Sequence, residues 1–281
     1  MNILKENFMQ GFINMCDDAN RKGWHERNGG NASYRMSEEE VEAVSACFAY
    51  EKPYQNIGFE LPNIAGEHFL FTGSGKYFKN IKADPENNLC VIKIDGTGAK
   101  YQIVWGLPGG GTPTSETPTH LLNHNVKKET TNGRYRVDFH AHPANIIALT
   151  YILPLDAAVF SRELWEMMTE CSIIFPDGVG VAGWEVPGGT AIAEATGELI
   201  KKYDAVVWAH HGLIALGEDF DSTFGLMETV EKAAEILIKV ISCGTSENHK
   251  IADWKKQKIT KEQFLSLEEP FSININKKFL L

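Results

Sequence analysis

Two histidines stand one residue apart in Asp138-Phe139-His140-Ala141-His142-Pro143, within a strand-like apolar run. Alternate side chains of a strand share a face, so His140 and His142 would aim two imidazoles at one point. A second strand-like run, Val206-Val207-Trp208-Ala209-His210-His211-Gly212, ends in two more. One imidazole from that run would complete a three-histidine site with open positions, the pattern of a catalytic transition-metal centre rather than a structural one. In an extended backbone His210 and His211 face opposite ways, so only one can join, and spacing alone does not choose between them. The competing reading of His-x-His is two strand histidines with ordinary hydrogen bonds, and the second His-Gly cluster weighs against it. A metal held this way would polarise oxygen atoms of a small substrate.

A proton-moving reaction also needs a carboxylate. Thr114-Ser115-Glu116-Thr117-Pro118 places Glu116 just before a helix that Pro118 opens. The helix dipole alone favours a carboxylate there. Beside a divalent ion it can be ligand, general base, or each in turn. His120 and His124 form a rival pair at i,i+4, also a metal-binding spacing. No Glu follows His120, and the pair reads as partly exposed helix residues. His25, His68 and His249 are isolated and read as ordinary.

Three small-residue clusters could cradle an anion: Asn28-Gly29-Gly30-Asn31, Thr72-Gly73-Ser74-Gly75-Lys76 and Thr114-Ser115. The second is not a nucleotide-binding P-loop, because Tyr77 follows the lysine and Leu70 stands where the first glycine belongs.

The elements that must position these groups read as short strands alternating with helices. Helical spacing of Leu4, Phe8, Phe12 and Met15 predicts a helix over 3–21. Strands are expected at 32–35, 67–72, 89–95, 101–105, 136–142, 171–175, 205–210 and 213–216. Residues 37–66 read as polar and irregular, an insertion. Further helices are expected over 117–124, from Pro143 to 149, over 162–169 and over 190–202. A long last one, capped by Asp221-Ser222-Thr223 and ending near 243, carries Met227, Val230, Ala234, Leu237 and Ile241 on its apolar face. This is one α/β domain.

Composition narrows the partners. A chain of 281 residues, 43% hydrophobic, can bury a full core. No apolar run approaches the roughly 18–20 residues that span a bilayer, and the N-terminus shows no signal pattern. Cys16, Cys47, Cys90, Cys171 and Cys243 stand singly, as reduced thiols of a cytoplasmic protein would. A net charge of -10 argues against a nucleic-acid partner but leaves a phosphorylated small molecule open.

Taken in order, Gly23-Trp24-His25-Glu26-Arg27-Asn28-Gly29-Gly30-Asn31, Thr72-Gly73-Ser74-Gly75-Lys76, Pro113-Thr114-Ser115-Glu116, His140-Ala141-His142, Thr169-Glu170-Cys171, Phe175-Pro176-Asp177-Gly178-Val179-Gly180 and His211-Gly212 resemble the class II aldolase/epimerase family across nearly the whole chain. The resemblance implies a single α/β domain over 1–281, with a central, mostly antiparallel sheet flanked by helices. It implies one zinc ion per subunit on His140, His142 and His211, the histidine directly before glycine; the ligand types alone also admit cobalt or manganese. Glu116 would be a zinc ligand at rest and the base once substrate displaces it. Glu170 would be a second carboxylate, contributed across a subunit interface and acting at the aldehyde oxygen. Asn28, Gly29, Asn31, Ser74, Gly75, Thr114 and Ser115 would hold a phosphate. A C4 homotetramer is implied, with active sites where subunits meet. The implied activity is that of a lyase in rhamnose catabolism, cleaving L-rhamnulose 1-phosphate to dihydroxyacetone phosphate and L-lactaldehyde through a zinc-stabilised enediolate. Cleavage of L-fuculose 1-phosphate, 4-epimerisation of ribulose 5-phosphate, and a non-enzymatic adducin-like assembly role are the alternatives. The tail after about residue 247 carries no motif of the family.

Overall fold

Strands rich in Val, Ile and Phe dominate the middle of the chain, and most are apolar at successive positions rather than alternating. Such runs must be covered on both faces. The computed structural model, which describes residues 2–243 and 254–280, shows why. Nine strands are β1 (Asn31–Arg35), β2 (Gln55–Asn56), β3 (His68–Thr72), β4 (Leu89–Ile94), β5 (Lys100–Gly106), β6 (Val137–Ala141), β7 (Gly180–Ala182), β8 (Ala205–Trp208) and β9 (Gly212–Gly217). They form one sheet in the order β2-β5-β4-β3-β1-β6-β9-β8-β7. Every neighbouring pair is antiparallel except β7 and β8.

The helices are α1 (Asn7–Arg21), α2 (Glu38–Val44), α3 (Phe78–Ile81), α4 (Pro85–Asn88), α5 (Thr117–Thr130), α6 (Ala144–Leu149), α7 (Ala157–Trp165), α8 (Cys171–Ile174), α9 (Thr190–Leu199), α10 (Phe220–Ser242), α11 (Lys261–Leu265) and α12 (Glu268–Phe271). On one face of the sheet Leu70, Phe139, Val207 and Ala215 pack with Phe12 of α1 and Val230 and Leu237 of α10. On the other, Phe69 and Phe71 pack with Leu121 of α5, and Val206, Trp208 and Ile214 with Ile192 of α9. None of the helices among the described residues is long and apolar enough to cross a membrane.

Antiparallel order brings the candidate loops together. Asn31 of β1 lies opposite His140 of β6, and Ser33 opposite Phe71 of β3. The loop entering β1, the loop leaving β3, the end of β6 and the β8–β9 turn therefore share one end of the sheet. Ser74 donates its backbone N–H to the Thr112 carbonyl and Thr114 to the Thr72 carbonyl, so two of the three small-residue loops run side by side.

Several elements differ from expectation. The expected strand over 171–175 is instead helix α8 (Cys171–Ile174) with Phe175 just past its end: Cys171, Ser172 and Phe175 are the buried positions, a helical spacing that five residues are too few to reveal. Helix α5 continues past His124 to Thr130, because its buried face carries Thr119, His120, Asn123, His124 and Lys127 and so leaves no apolar stripe to read. Helix α7 ends at Trp165, well before 169. Asp219, rather than Asp221, caps α10 by accepting the Ser222 N–H. Within 37–66, Ser37 and Glu40 form a capping box that starts α2, and β2 pairs with β5 at the sheet's edge.

His249 lies outside the described residues, as does the first part of the C-terminal tail. The described part returns to the core. Phe264 and Phe279 pack on the Trp165 ring at centroid distances of 6.0 and 5.4 Å, with Ile275 and Leu280 also buried.

Candidate metal centre

β6 ends at Ala141, and the pleat carries His140 toward Glu116 at the start of α5. The next residues are fixed by two close approaches. The His142 N–H donates to the Trp24 carbonyl at 3.0 Å, stapling the segment before β1 to the end of β6. Gly212, starting β9, lies so close that a Cβ there would sit 2.4 Å from the Ala141 carbonyl oxygen and 2.8 Å from Cε1 of His140. The β8–β9 connection is a turn, not extended chain: His210 takes φ +60°, and this separates the two adjacent histidines. His211 turns toward His140 and His142, with ring centroids 4.8 and 5.1 Å away. His210 turns away, its Nδ1 3.1 Å from the Thr150 hydroxyl and its ring against Tyr151. One ring nitrogen from each of His140, His142 and His211 lies within 4.8 Å of the others.

The donor and acceptor count of this cluster fits a metal. Nδ1 of His140 donates to the Leu213 carbonyl at 3.1 Å, and Nδ1 of His142 to Glu26 Oε1 at 2.7 Å. Each Nε2 is then a bare lone pair. Both Nε2 atoms are buried with no hydrogen-bond partner, and buried polar atoms are seldom left so. Burial and the neighbouring imidazoles hold the pKa of His140 well below its ordinary value, and they lower that of His211 to about 4. Ring nitrogens without a hydrogen-bond partner, oriented by a carbonyl and a carboxylate behind the rings, are what a divalent cation requires.

Glu116 closes the cluster. Its Oε2 lies 3.8 Å from Nε2 of His140 and its Oε1 4.0 Å from Nε2 of His211. Burial raises its carboxyl above the usual range, opposed by the hydrogen bond it accepts from Asn31 Nδ2 at 2.9 Å. The backbone at Glu116 is the cap position of α5, but its side chain caps nothing and is directed to the histidines instead.

Behind Glu116, His120 and His124 are fully buried, which corrects their reading as partly exposed. The physical reason is that α5 lays this face on the sheet over Ser33 and Asp138, which pair across β1 and β6. The Ser33 hydroxyl lies 2.8 Å from both His120 Nδ1 and His124 Nε2. His120 Nε2 meets Asn31 Oδ1. Asp138 accepts from Asn123 Nδ2 at 2.8 Å, and burial pushes its carboxyl up to about 8 against that bond.

Of the loop residues, Gly29 lies against the His142 ring, where an added Cβ would sit 2.8 Å from Cε1. Asn31 has its side chain committed to Glu116 and His120. Ser74, Gly75, Thr114 and Ser115 lie on the two neighbouring loops already described, and Asn28 in the turn before β1. Glu170 is exposed at the start of α8 and is not part of the cluster. Sequence reasoning passed over Glu26, Ser33 and Asp138. The last had a signal, since an Asp two residues before His140 shares its strand face.

The sequence pattern described as Class II Aldolase and Adducin N-terminal domain matches residues 10–238. The rhamnulose-1-phosphate aldolase of Klebsiella pneumoniae subsp. pneumoniae is 43% identical over 266 residues, 95% of this chain and 93% of that protein. That of Pectobacterium atrosepticum is 42% identical over 271 residues, 96% of each. Among solved structures, a sugar-phosphate aldolase from Thermotoga maritima superposes with a TM-score of 0.72 at 28% identity, covering 85% of this chain and 96% of that one. An L-fuculose 1-phosphate aldolase, at 19% identity and a TM-score of 0.60 over 96% and 98%, shares the fold. A family match over most of the chain and close relatives along nearly all of it agree with the sheet order and the histidine cluster: this chain belongs to the class II aldolase family.

Proposed function

We propose that the protein is a metal-dependent aldehyde-lyase that cleaves L-rhamnulose 1-phosphate to dihydroxyacetone phosphate and L-lactaldehyde. One observation carries the substrate: relatives bearing that activity in their names match this chain at 42–44% identity over 95–97% of its length. The chain works as a single domain in the cytoplasm.

His140 and His142, through their bare Nε2 atoms, and His211 would hold the ion, one per subunit, zinc by the family resemblance. Lewis-acid polarisation of the substrate's oxygens is what a divalent ion on these nitrogens supplies. The remaining chemistry belongs to the chain. Ser74, Gly75, Thr114 and Ser115, with Asn28 and Gly29, hold the phosphate and so fix the reacting carbon. In cleavage the C4 hydroxyl gives its proton to Glu170 of a neighbouring subunit and the C3–C4 bond breaks, leaving its electron pair on C3. The enediolate takes a proton at C3 to become dihydroxyacetone phosphate. Glu116 delivers that proton, and removes it in the synthetic direction. A carboxyl raised by burial suits a group that both holds and releases a proton. Asn31 keeps Glu116 aimed.

Glu170, exposed on its own subunit, serves the aldehyde oxygen of a neighbouring subunit's site. Exposed apolar side chains support a homotetramer: Tyr151 is 71% exposed and Trp184 62%, with Ile152, Ile174 and Val186 also open.

The test is cleavage of L-rhamnulose 1-phosphate by purified protein, with and without EDTA, reading dihydroxyacetone phosphate through a coupled NADH assay. Release that EDTA stops is expected. No release from folded, metal-loaded protein would overturn the substrate assignment, and product without free aldehyde would indicate an epimerase.

A further inference from the structure

A buried hydrogen-bond chain runs from Glu116 away from the histidine cluster through Asn31, His120 and Ser33 to His124. Its polarity follows from counting hydrogens. An ionised Glu116 only accepts, so the Asn31 amide must present Nδ2 to it, at 2.9 Å. That leaves Asn31 Oδ1, an acceptor, facing His120 Nε2, which must then carry a hydrogen. Burial lowers the His120 pKa to about 3 and that of His124 well below its ordinary value, so each ring carries one hydrogen. His120 Nδ1 is therefore bare and accepts from Ser33 Oγ at 2.8 Å. The Ser33 hydrogen is now used, so its oxygen accepts from His124 Nε2, also at 2.8 Å. Every bond has one donor and one acceptor. A neutral His120 with its hydrogen on Nδ1, directed at Asp138 Oδ2 3.4 Å away, would instead set two lone pairs against each other at Asn31.

We propose that His120 is a positioning residue: by donating from Nε2 it locks the Asn31 amide in the one orientation that offers Glu116 an N–H, and so holds the Glu116 carboxylate against the histidine cluster. With the amide reversed, Oδ1 would face the carboxylate and push it away. The proposal rests on Glu116 as the proton-transfer group.

Two measurements test it. The first is the tautomer of His120 in wild-type protein labelled with 15N-histidine, read by long-range 1H–15N correlation and assigned by comparison with His120→Gln. Hydrogen on Nε2 alone is expected; hydrogen on Nδ1, or on both nitrogens, overturns the chain. The second compares His120→Phe, which has no donor, with His120→Gln, whose amide can still donate to Asn31. His120→Phe should keep its metal content and lose between about 10-fold and 100-fold in kcat, as a misplaced reacting group does, with KM within about threefold; His120→Gln should recover most of the loss. An unchanged kcat, a loss confined to KM, or a glutamine variant no better than phenylalanine overturns the proposal. If wild-type protein fails to cleave the sugar phosphate, the functional reading fails and the tautomer decides the chain by itself; it does so too if His120→Phe does not fold.

Discussion

Two groups of histidines lie within one stretch of this fold, and each has a spacing that binds metals elsewhere. His140 and His142 sit at i,i+2 at the end of a strand; His120 and His124 sit at i,i+4 on the helix that covers that strand. Both groups are buried or nearly so, and burial lowers the pKa values of His140, His120 and His124. The difference lies in what the second nitrogen meets. At the cluster, a carbonyl and a carboxylate take Nδ1 and leave Nε2 of both His140 and His142 without a partner. In the pair, Ser33 joins both rings and Asn31 takes the remaining nitrogen of His120. Spacing nominates a metal site, and unsatisfied lone pairs distinguish a receptor from a scaffold.

Metal content separates the two groups most sharply. His140→Ala should leave purified protein with little bound metal and background cleavage, a larger loss than the roughly 100-fold that removing an outer partner causes. His124→Gln should retain metal at the wild-type level. Both contents are read by inductively coupled plasma mass spectrometry. Metal lost equally from both variants would erase the distinction between the groups.

An outer partner gives the next effect. Glu26, on an exposed turn, holds His142 Nδ1 at 2.7 Å and so sets which nitrogen is bare. Glu26→Gln keeps the shape but can orient its amide either way and supplies no charge. Metal affinity should fall about 10- to 100-fold, measured by competition with a chromophoric chelator. An affinity within about twofold of wild type would show that His142 is oriented without Glu26.

These groups were unequally legible in the sequence. The strand pair stood out because a two-residue pleat converts directly into a shared direction. Spacing alone leaves the third ligand open between His210 and His211, and the family resemblance points to His211; the choice depends on a turn with His210 at φ +60°, which no local pattern records. The helix pair was misplaced on the surface for a different reason. Outward and inward faces of a helix are told apart by apolar residues, and the buried face of α5 is polar but for Leu121, its polar groups satisfied by Ser33, Asn31 and Asp204 from elements far away in sequence. Strand existence came through well, since runs such as 89–95 and 101–105 carry apolar residues on both faces. Convergence of the three small-residue loops did not, because it depends on strand order, which no local pattern records.

Acid stability tests the helix pair by a smaller effect. In unfolded chain the imidazole titrates near its ordinary value, about 6.5; buried in the fold, His120 is lowered to about 3. As pH falls below about 6.5 the unfolded state takes up a proton that the native state refuses, so stability is lost on acidification, by up to about 1.4 kcal/mol per pH unit for one such group. The loss from His120 continues until roughly pH 3. Urea unfolding of metal-free protein at about pH 7, 6 and 5 should show a shallower fall for His120→Gln than for wild type. Parallel curves would mean that His120 is charged, or exposed, in the native state.

The smallest effect lies within one turn. His210 and His211 are adjacent and chemically identical, yet only His211 faces the cluster. His210 occupies the left-handed region, where Asn is among the few side chains tolerated. His210→Asn therefore keeps the turn and gives up the ring's contacts with Tyr151 and Thr150, at a cost near 1 kcal/mol, about one neutral hydrogen bond. Its metal content and cleavage rate should stay within about threefold of wild type, since no step of the reaction is assigned to this ring. His211→Asn makes the identical replacement one residue on and should lose both metal and activity. If His210→Asn instead lost metal, the turn would have to present either ring to the cluster, and the conformation separating the two would not be the one that binds.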